Sequence, residues 1–166
     1  MTNVRRIWRH LLMPHWKVRQ TFPRKALQAI ERAIAAGEGN AIGQLCFVVE
    51  GALNWAGLLN GLTARERAIE VFAQQRVWDT EHNNGVLIYL LLADRSVEIV
   101  ADRGIHRKVG EQEWDAVCRQ MEAAFRRREY EAGVIAGVES IARHLQQHFP
   151  ARSIGKNELS DKPVIL

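Results

Sequence analysis

Seven consecutive apolar residues, Val86-Leu87-Ile88-Tyr89-Leu90-Leu91-Leu92, constrain this chain more tightly than any other stretch. The run is far short of the ~20 residues that cross a bilayer, and its continuous apolar character predicts a central strand buried on both faces. A polar loop, Trp78-Asp79-Thr80-Glu81-His82-Asn83-Asn84, leads into it. Asp94-Arg95 follows as a hairpin turn, and Val97 to Val100 alternates as a returning strand.

The flanking segments supply the partners such a strand needs. Gln44 to Gly51 is a second near-continuous apolar run and predicts the first strand of the sheet. Between the two lies a helix that opens at Thr63, where Thr63-x-x-Glu66 forms a capping box and Ile69, Phe72, Ala73 and Val77 are expected to form the buried stripe. Asn54 to Leu62 reads as a loop or broken helix. Pro23 starts an earlier helix with Ala26, Leu27, Ile30, Ala33 and Ile34 at core spacing. Two later helices carry wide apolar stripes, one through Trp114, Val117, Cys118, Met121 and Phe125, the other through Val134, Ile135, Val138, Ile141, Ala142 and Leu145.

Strand, crossover helix and strand make a βαβ unit, parallel and right-handed, followed by an antiparallel hairpin. The fold class is therefore α/β, a three-layer α/β/α sandwich with a small mixed sheet and two C-terminal helices. Three segments are expected: a basic amphipathic arm over residues 1–21, one domain over 22–150, and a flexible tail over 151–166. The apolar end of the tail, Pro163-Val164-Ile165-Leu166, is suited to lie as an edge strand or to bind elsewhere.

Charge is unevenly distributed. Residues 1–32 hold eight Lys or Arg against the single acid Glu31, so the rest must carry −3 for the chain to total +4. Val4 to Met13 forms a short helix with Ile7, Trp8, Leu11 and Leu12 on one face and Arg5, Arg6, Arg9 and His10 on the other. Its apolar face is expected to dock on the domain itself, and peripheral membrane contact through residues 1–20 is the competing expectation. Nucleic-acid binding is not expected, because no reader motif accompanies the basic residues. No signal-peptide layout and no spanning run are present, which points to a cytoplasmic protein with membrane association as the variant. Cys46 and Cys118 lie in core patterns and form neither a C-x-x-C pair nor a zinc spacing, so both are expected to be buried, inert thiols.

Chemistry concentrates at one rim. The hairpin returns Asp102, Arg103 and His106 to the end where the Asp79–Asn84 loop enters the central strand. Carboxylate and amide oxygens clustered this way suit a hard cation, Ca²⁺ or Mg²⁺. The metal candidates are Asp79, Glu81, Asn84 and Asp102; no organic cofactor is expected. The opposite rim holds Glu50, Asn54 and Asp94. Turn chemistry is the competing account of the loop, with Asn-Gly supplying a positive φ before the strand.

Ala68-x₃-Phe72, Asn84-Gly85-Val86-Leu87-Ile88 and Asp94-Arg95-x-Val97-Glu98-Ile99-Val100-x-Asp102-x-Gly104-Ile105 together resemble the TPM domain family. Phe125-x₄-Tyr130-x₂-Gly133-x₃-Gly137 is similar to the helix pair that closes that domain. The resemblance spans about residues 25–149 and implies the same α/β/α sandwich. It implies mixed roles as well, since the family includes a thylakoid acid phosphatase, a nematode acetylcholine-receptor modulator and bacterial proteins without known activity. Calcium or magnesium binding by acidic loop residues is associated with some members. The chain departs from many members in lacking an export signal and a C-terminal membrane segment. It also carries Trp78-Asp79-Thr80-Glu81-His82 in place of a Gly-Ile-Gly-like segment, and it has an unusually basic start.

The expected function is a TPM-type interaction module with a cation-binding acidic loop and an unidentified protein partner. The alternative is a metal-dependent acid phosphatase acting on phosphomonoesters. There a cation at Asp79, Glu81 and Asp102 would polarise the phosphoryl group, His82 would serve as general acid and Arg103 would pair with phosphate oxygens.

Overall fold

The computed structural model describes residues 4–151 and 156–166; the first three residues of the basic arm and residues 152–155 of the tail lie outside them. In chain order the elements are α1 (Val4–Leu11), α2 (Trp16–Thr21), α3 (Arg24–Glu38), β1 (Gln44–Glu50), α4 (Trp55–Leu59), α5 (Ala64–Gln74), β2 (Gly85–Leu91), β3 (Ser96–Ala101), α6 (Arg103–Val109), α7 (Glu111–Arg126), α8 (Tyr130–His148) and β4 (Val164–Ile165). The sheet runs β3-β2-β1-β4. β1 and β2 are parallel, β2 and β3 antiparallel, and β4 pairs parallel with the outer edge of β1. This is the three-layer α/β/α sandwich.

The apolar runs of β1 and β2 are continuous because both faces of the sheet are covered. Leu45, Phe47 and Val49 alternate with Cys46 and Val48, and Val86, Ile88 and Leu90 alternate with Leu87, Tyr89 and Leu91. The first set packs with Ile30 and Ile34 of α3, Val117 and Met121 of α7, and Val138 and Ile141 of α8. The second packs with Leu58 of α4 and with Ala68 and Val71 of α5.

Three details refine the sequence pattern. The capping box of α5 is formed, with the Thr63 hydroxyl accepting from Glu66 N–H and the Glu66 carboxylate accepting from Thr63 N–H. The buried stripe is nevertheless Ala68 and Val71 with Phe72 half-buried, while Ile69 is 50% exposed and Ala73 lies outside. Arg67 fixes this rotation by donating two hydrogen bonds to Glu50 at the end of β1, at 2.9 and 3.2 Å. Asn54 to Leu62 contains a helical turn, α4, capped by the Asn54 side chain, which accepts from Gly57 N–H at 2.7 Å. After β3 the chain turns at once into α6, with Asp102 as its N-cap.

The basic arm docks by the face opposite to the one expected. Arg6 and Arg9 donate to the two carboxylate oxygens of Asp94 at 2.8 and 3.2 Å. His10 is buried beside them, with Nε2 3.1 Å from Asp94 Oδ1 but out of line for a hydrogen bond. Burial works to raise the Asp94 carboxyl, but the nearby His10 and Arg6 outweigh it and hold the group below its ordinary value. Charge-assisted bonds to one half-buried acid thus draw the polar stripe of α1 inward. Val4, Trp8, Leu11 and Leu12 are left outside.

Candidate functional site

The site is built where β2 begins and β3 ends. The register places Val86 opposite Ala101, and Asp102 N–H donates to the Gly85 carbonyl at 2.8 Å. Asn84 and Asp102 therefore stand at neighbouring strand ends. The loop before β2 has its left-handed residue at Asn83 (φ 50°), not at the glycine. Gly85 is required for a different reason: a Cβ there would collide with the Val77 carbonyl oxygen. Gly104 likewise lies against the carbonyls of His82 and Asn83, so the loop and the first turn of α6 touch backbone to backbone.

Asn84 is fully buried. Its N–H donates to Thr80 Oγ1 at 3.1 Å and its Nδ2 donates to the Ile42 carbonyl at 3.0 Å. Its Oδ1 is buried and, among the described residues, accepts nothing. Asp102 Oδ1 accepts from Arg103 N–H at 2.7 Å, while Oδ2 is also buried and has no hydrogen-bond partner among the described residues. Two orphaned oxygens at one rim are unusual, because a buried acceptor without a donor costs about 1–3 kcal/mol. Both are hard ligands of the type that Ca²⁺ and Mg²⁺ take.

The other sequence-derived candidates lie around this pair rather than beside it in a closed cluster. Asp79 is exposed and pairs with Arg76 in the turn before it. Glu81 is exposed, and its N–H donates to the Glu158 carboxylate at 3.1 Å. His82, Arg103 and His106 are exposed. Among the described residues, no three His, Cys, Asp or Glu side chains are grouped as a metal cluster.

The rim contains a second carboxylate set. Gln44 Oε1 accepts from the N–H groups of Glu158 and Leu159, both at 2.9 Å, and so ties the C-terminal segment to the start of β1. Glu38 Oε1 accepts from Leu45 N–H at 2.7 Å. Burial, reinforced by the charge of Asp161, pushes the Glu38 carboxyl up to about 8 despite that bond. Glu38, Gln44 and Asp161 line a cleft of about 170 Å³. No local sequence signal marks these residues, since Glu38 ends a helix and Asp161 sits in a stretch without periodicity.

At the opposite rim the polar groups are engaged structurally. Glu50 Oε2 accepts from the Tyr89 hydroxyl at 2.7 Å as well as from Arg67. Burial raises the Tyr89 phenol, so it stays protonated and donates. The thiols offer no nucleophile: Cys46 is buried, Cys118 half-buried, and burial pushes each up to about 12.

Comparison with known proteins agrees with this architecture. A search of curated proteins gives no significant match. The BA42 protein of the psychrophilic bacterium Bizionia argentinensis superposes with a TM-score of 0.76 at 25% identity, over 86% of this chain and 93% of that one. The N-terminal domain of a protein from P. gingivalis shares the fold, with a TM-score of 0.63 at 15% identity over 85% of this chain and 95% of that one. The sequence model of the TPM domain matches residues 18–144, from α2 through most of α8, and the chain belongs to the TPM domain family.

Proposed function

We propose that this TPM domain is an interaction module that holds a divalent cation, Ca²⁺ or Mg²⁺, at the rim formed by Asn84 and Asp102. The observation that carries the reading is the pair of buried, unpartnered oxygens, Asn84 Oδ1 and Asp102 Oδ2, at adjacent strand ends. The chemistry of the donor set is that of a hard cation, with no thiolate among the rim groups. Asp79 and Glu81 lie exposed on the same loop and add negative charge around the pair.

Calorimetric titration of metal-stripped protein with Ca²⁺ and with Mg²⁺ tests the reading. Saturable binding is expected, weakened about tenfold or more in Asp102→Ala. Asp102 also caps α6, and losing a cap costs about 1 kcal/mol by itself. Asp102→Ser, which keeps a capping oxygen, separates the two effects. Absence of heat together with an unchanged melting temperature overturns the reading.

Phosphomonoester hydrolysis at the same rim is the second reading. The contact of Gly104 with the His82 and Asn83 carbonyls favours it, because it brings His82 and Arg103 to the rim that Asp102 occupies. In it the cation polarises the phosphoryl group while Arg103 pairs with its oxygens and His82 protonates the leaving group. Cation-dependent hydrolysis of an aryl phosphate, lost in Asp102→Ser and Glu81→Ala, is the expected result; activity that survives both substitutions rules the site out.

A further inference from the structure

We infer that the end of the molecule carrying α1, α2 and α4 docks on an anionic phospholipid membrane. The exposed large apolar residues are concentrated there. Trp8, Leu11, Leu12 and Trp16 lie outside on α1, α2 and their connection, with Leu12 72% and Trp16 62% exposed. Trp55 and Leu59 of α4 are exposed as well. The two groups are neighbours, because Leu53 N–H, just before α4, donates to His10 Nδ1 of α1 at 3.0 Å. Exposed Trp and Leu at one end match the aromatic and aliphatic composition that partitions into the headgroup boundary.

Charge selects the occupant. Residues 4–21 hold no acid, and of their cations Arg6 and Arg9 are already paired with Asp94, so the charge offered outward is that of the cleft next to α2. This cleft of about 320 Å³ is lined by Lys17, Arg95, Arg126 and Arg128, with Thr21 and Tyr130 adding hydroxyls and, among the described residues, no carboxylate in the lining. The α7–α8 turn supplies Arg128 in the left-handed conformation (φ 64°), and Arg95 (φ 53°) directly follows Asp94, the anchor of α1. Four cations around a cleft of this size suit a phosphodiester headgroup, and the apolar side chains beside it suit the acyl boundary. A small soluble anion would satisfy the cations and leave the Trp and Leu side chains wet.

The shortness of α1 does not weaken this. An isolated eight-residue helix must fold as it binds. Here its polar stripe is already fixed to Asp94, so its apolar stripe meets the membrane preformed and the ordering cost is absent from binding. No helix among the described residues is long and apolar enough to cross a bilayer, so the contact lies in the interface plane.

Flotation of the full chain with two kinds of vesicle tests the inference, one of phosphatidylcholine alone and one of phosphatidylcholine mixed with phosphatidylglycerol. Binding to the mixed vesicles only is expected, with a blue shift of tryptophan emission and a loss of binding as salt is raised. Trp8→Ser/Leu12→Ser removes apolar contact, and Lys17→Glu/Arg126→Glu reverses the cleft charge. Each pair is expected to weaken binding about tenfold or more while melting as the parent does, since all four side chains are exposed. Equal binding to both vesicles, binding to neither, or binding indifferent to Trp8→Ser/Leu12→Ser overturns the inference. A rise in melting temperature with inorganic phosphate and no vesicle binding assigns the cleft to a soluble anion and overturns it too.

Discussion

His10 Nδ1 accepts the amide hydrogen of Leu53 at 3.0 Å, across 43 positions of sequence. The other ring nitrogen, Nε2, faces Asp94 Oδ1 at 3.1 Å. One side chain thus holds a backbone group that follows β1 and lies against the carboxylate of the β2–β3 turn.

Removing it should loosen the arm without unfolding the domain. His10→Ala leaves the Leu53 N–H without its acceptor, a cost of about 1–3 kcal/mol, while Arg6 and Arg9 keep α1 on Asp94. Faster hydrogen exchange at Leu53 and faster proteolysis in residues 4–21, with core exchange little changed, are expected. Protection at Leu53 equal to the parent's would show that another group accepts the bond.

Gly104 is a steric requirement. Gly104→Ala places a methyl against the carbonyls of His82 and Asn83, both backbone atoms with little room to retreat. We expect a loss of about 2–4 kcal/mol in denaturant unfolding and, if the rim binds Ca²⁺, a larger loss of that binding than at any exposed loop position.

Glu38 makes stability depend on pH. Its carboxyl is raised from 4.5 to about 8 in the fold, so the native state holds the proton more tightly than the unfolded chain. Its contribution is fully present below about 4.5 and is lost as the pH rises through about 8. Glu38→Gln keeps an acceptor for Leu45 N–H and a donor toward Asp161 without titrating. Urea unfolding across that window should show a flatter profile in Glu38→Gln than in the parent.

The Glu50–Arg67–Tyr89 group is a stability test. Glu50 and Arg67 are largely buried, so Arg67→Met strands a carboxylate and should cost about 2–4 kcal/mol. Adding Glu50→Gln should recover part of the loss. Tyr89→Phe removes one hydrogen bond from Glu50 and should cost about 1 kcal/mol. A full double-mutant cycle measures the coupling.

Strands and caps were legible in the sequence because their signals are local. The three sheet runs end within about a residue of their expected limits, and Thr63 and Glu66 cap α5 over three positions. What could not be read depends on a single distant partner. The rotation of α5 follows Arg67 reaching back to Glu50, and the inverted docking of α1 follows Asp94, 88 positions from Arg6. At the rim, the closeness of Asn84 and Asp102 follows from hairpin topology alone. The contributions of Glu38, Gln44 and Asp161 do not, because they depend on how the C-terminal segment crosses β1.

β1 and β2 are parallel and seven residues long, and they connect the Asn84–Asp102 rim with the end that carries α1 and α4. At about 3.3 Å per residue, that length holds the two ends roughly 23 Å apart. This is close to three Debye lengths at physiological ionic strength, about 8 Å each. Through the intervening solvent the field of an exposed charge at one end is almost fully screened at the other, so each end answers to its own ionic surroundings.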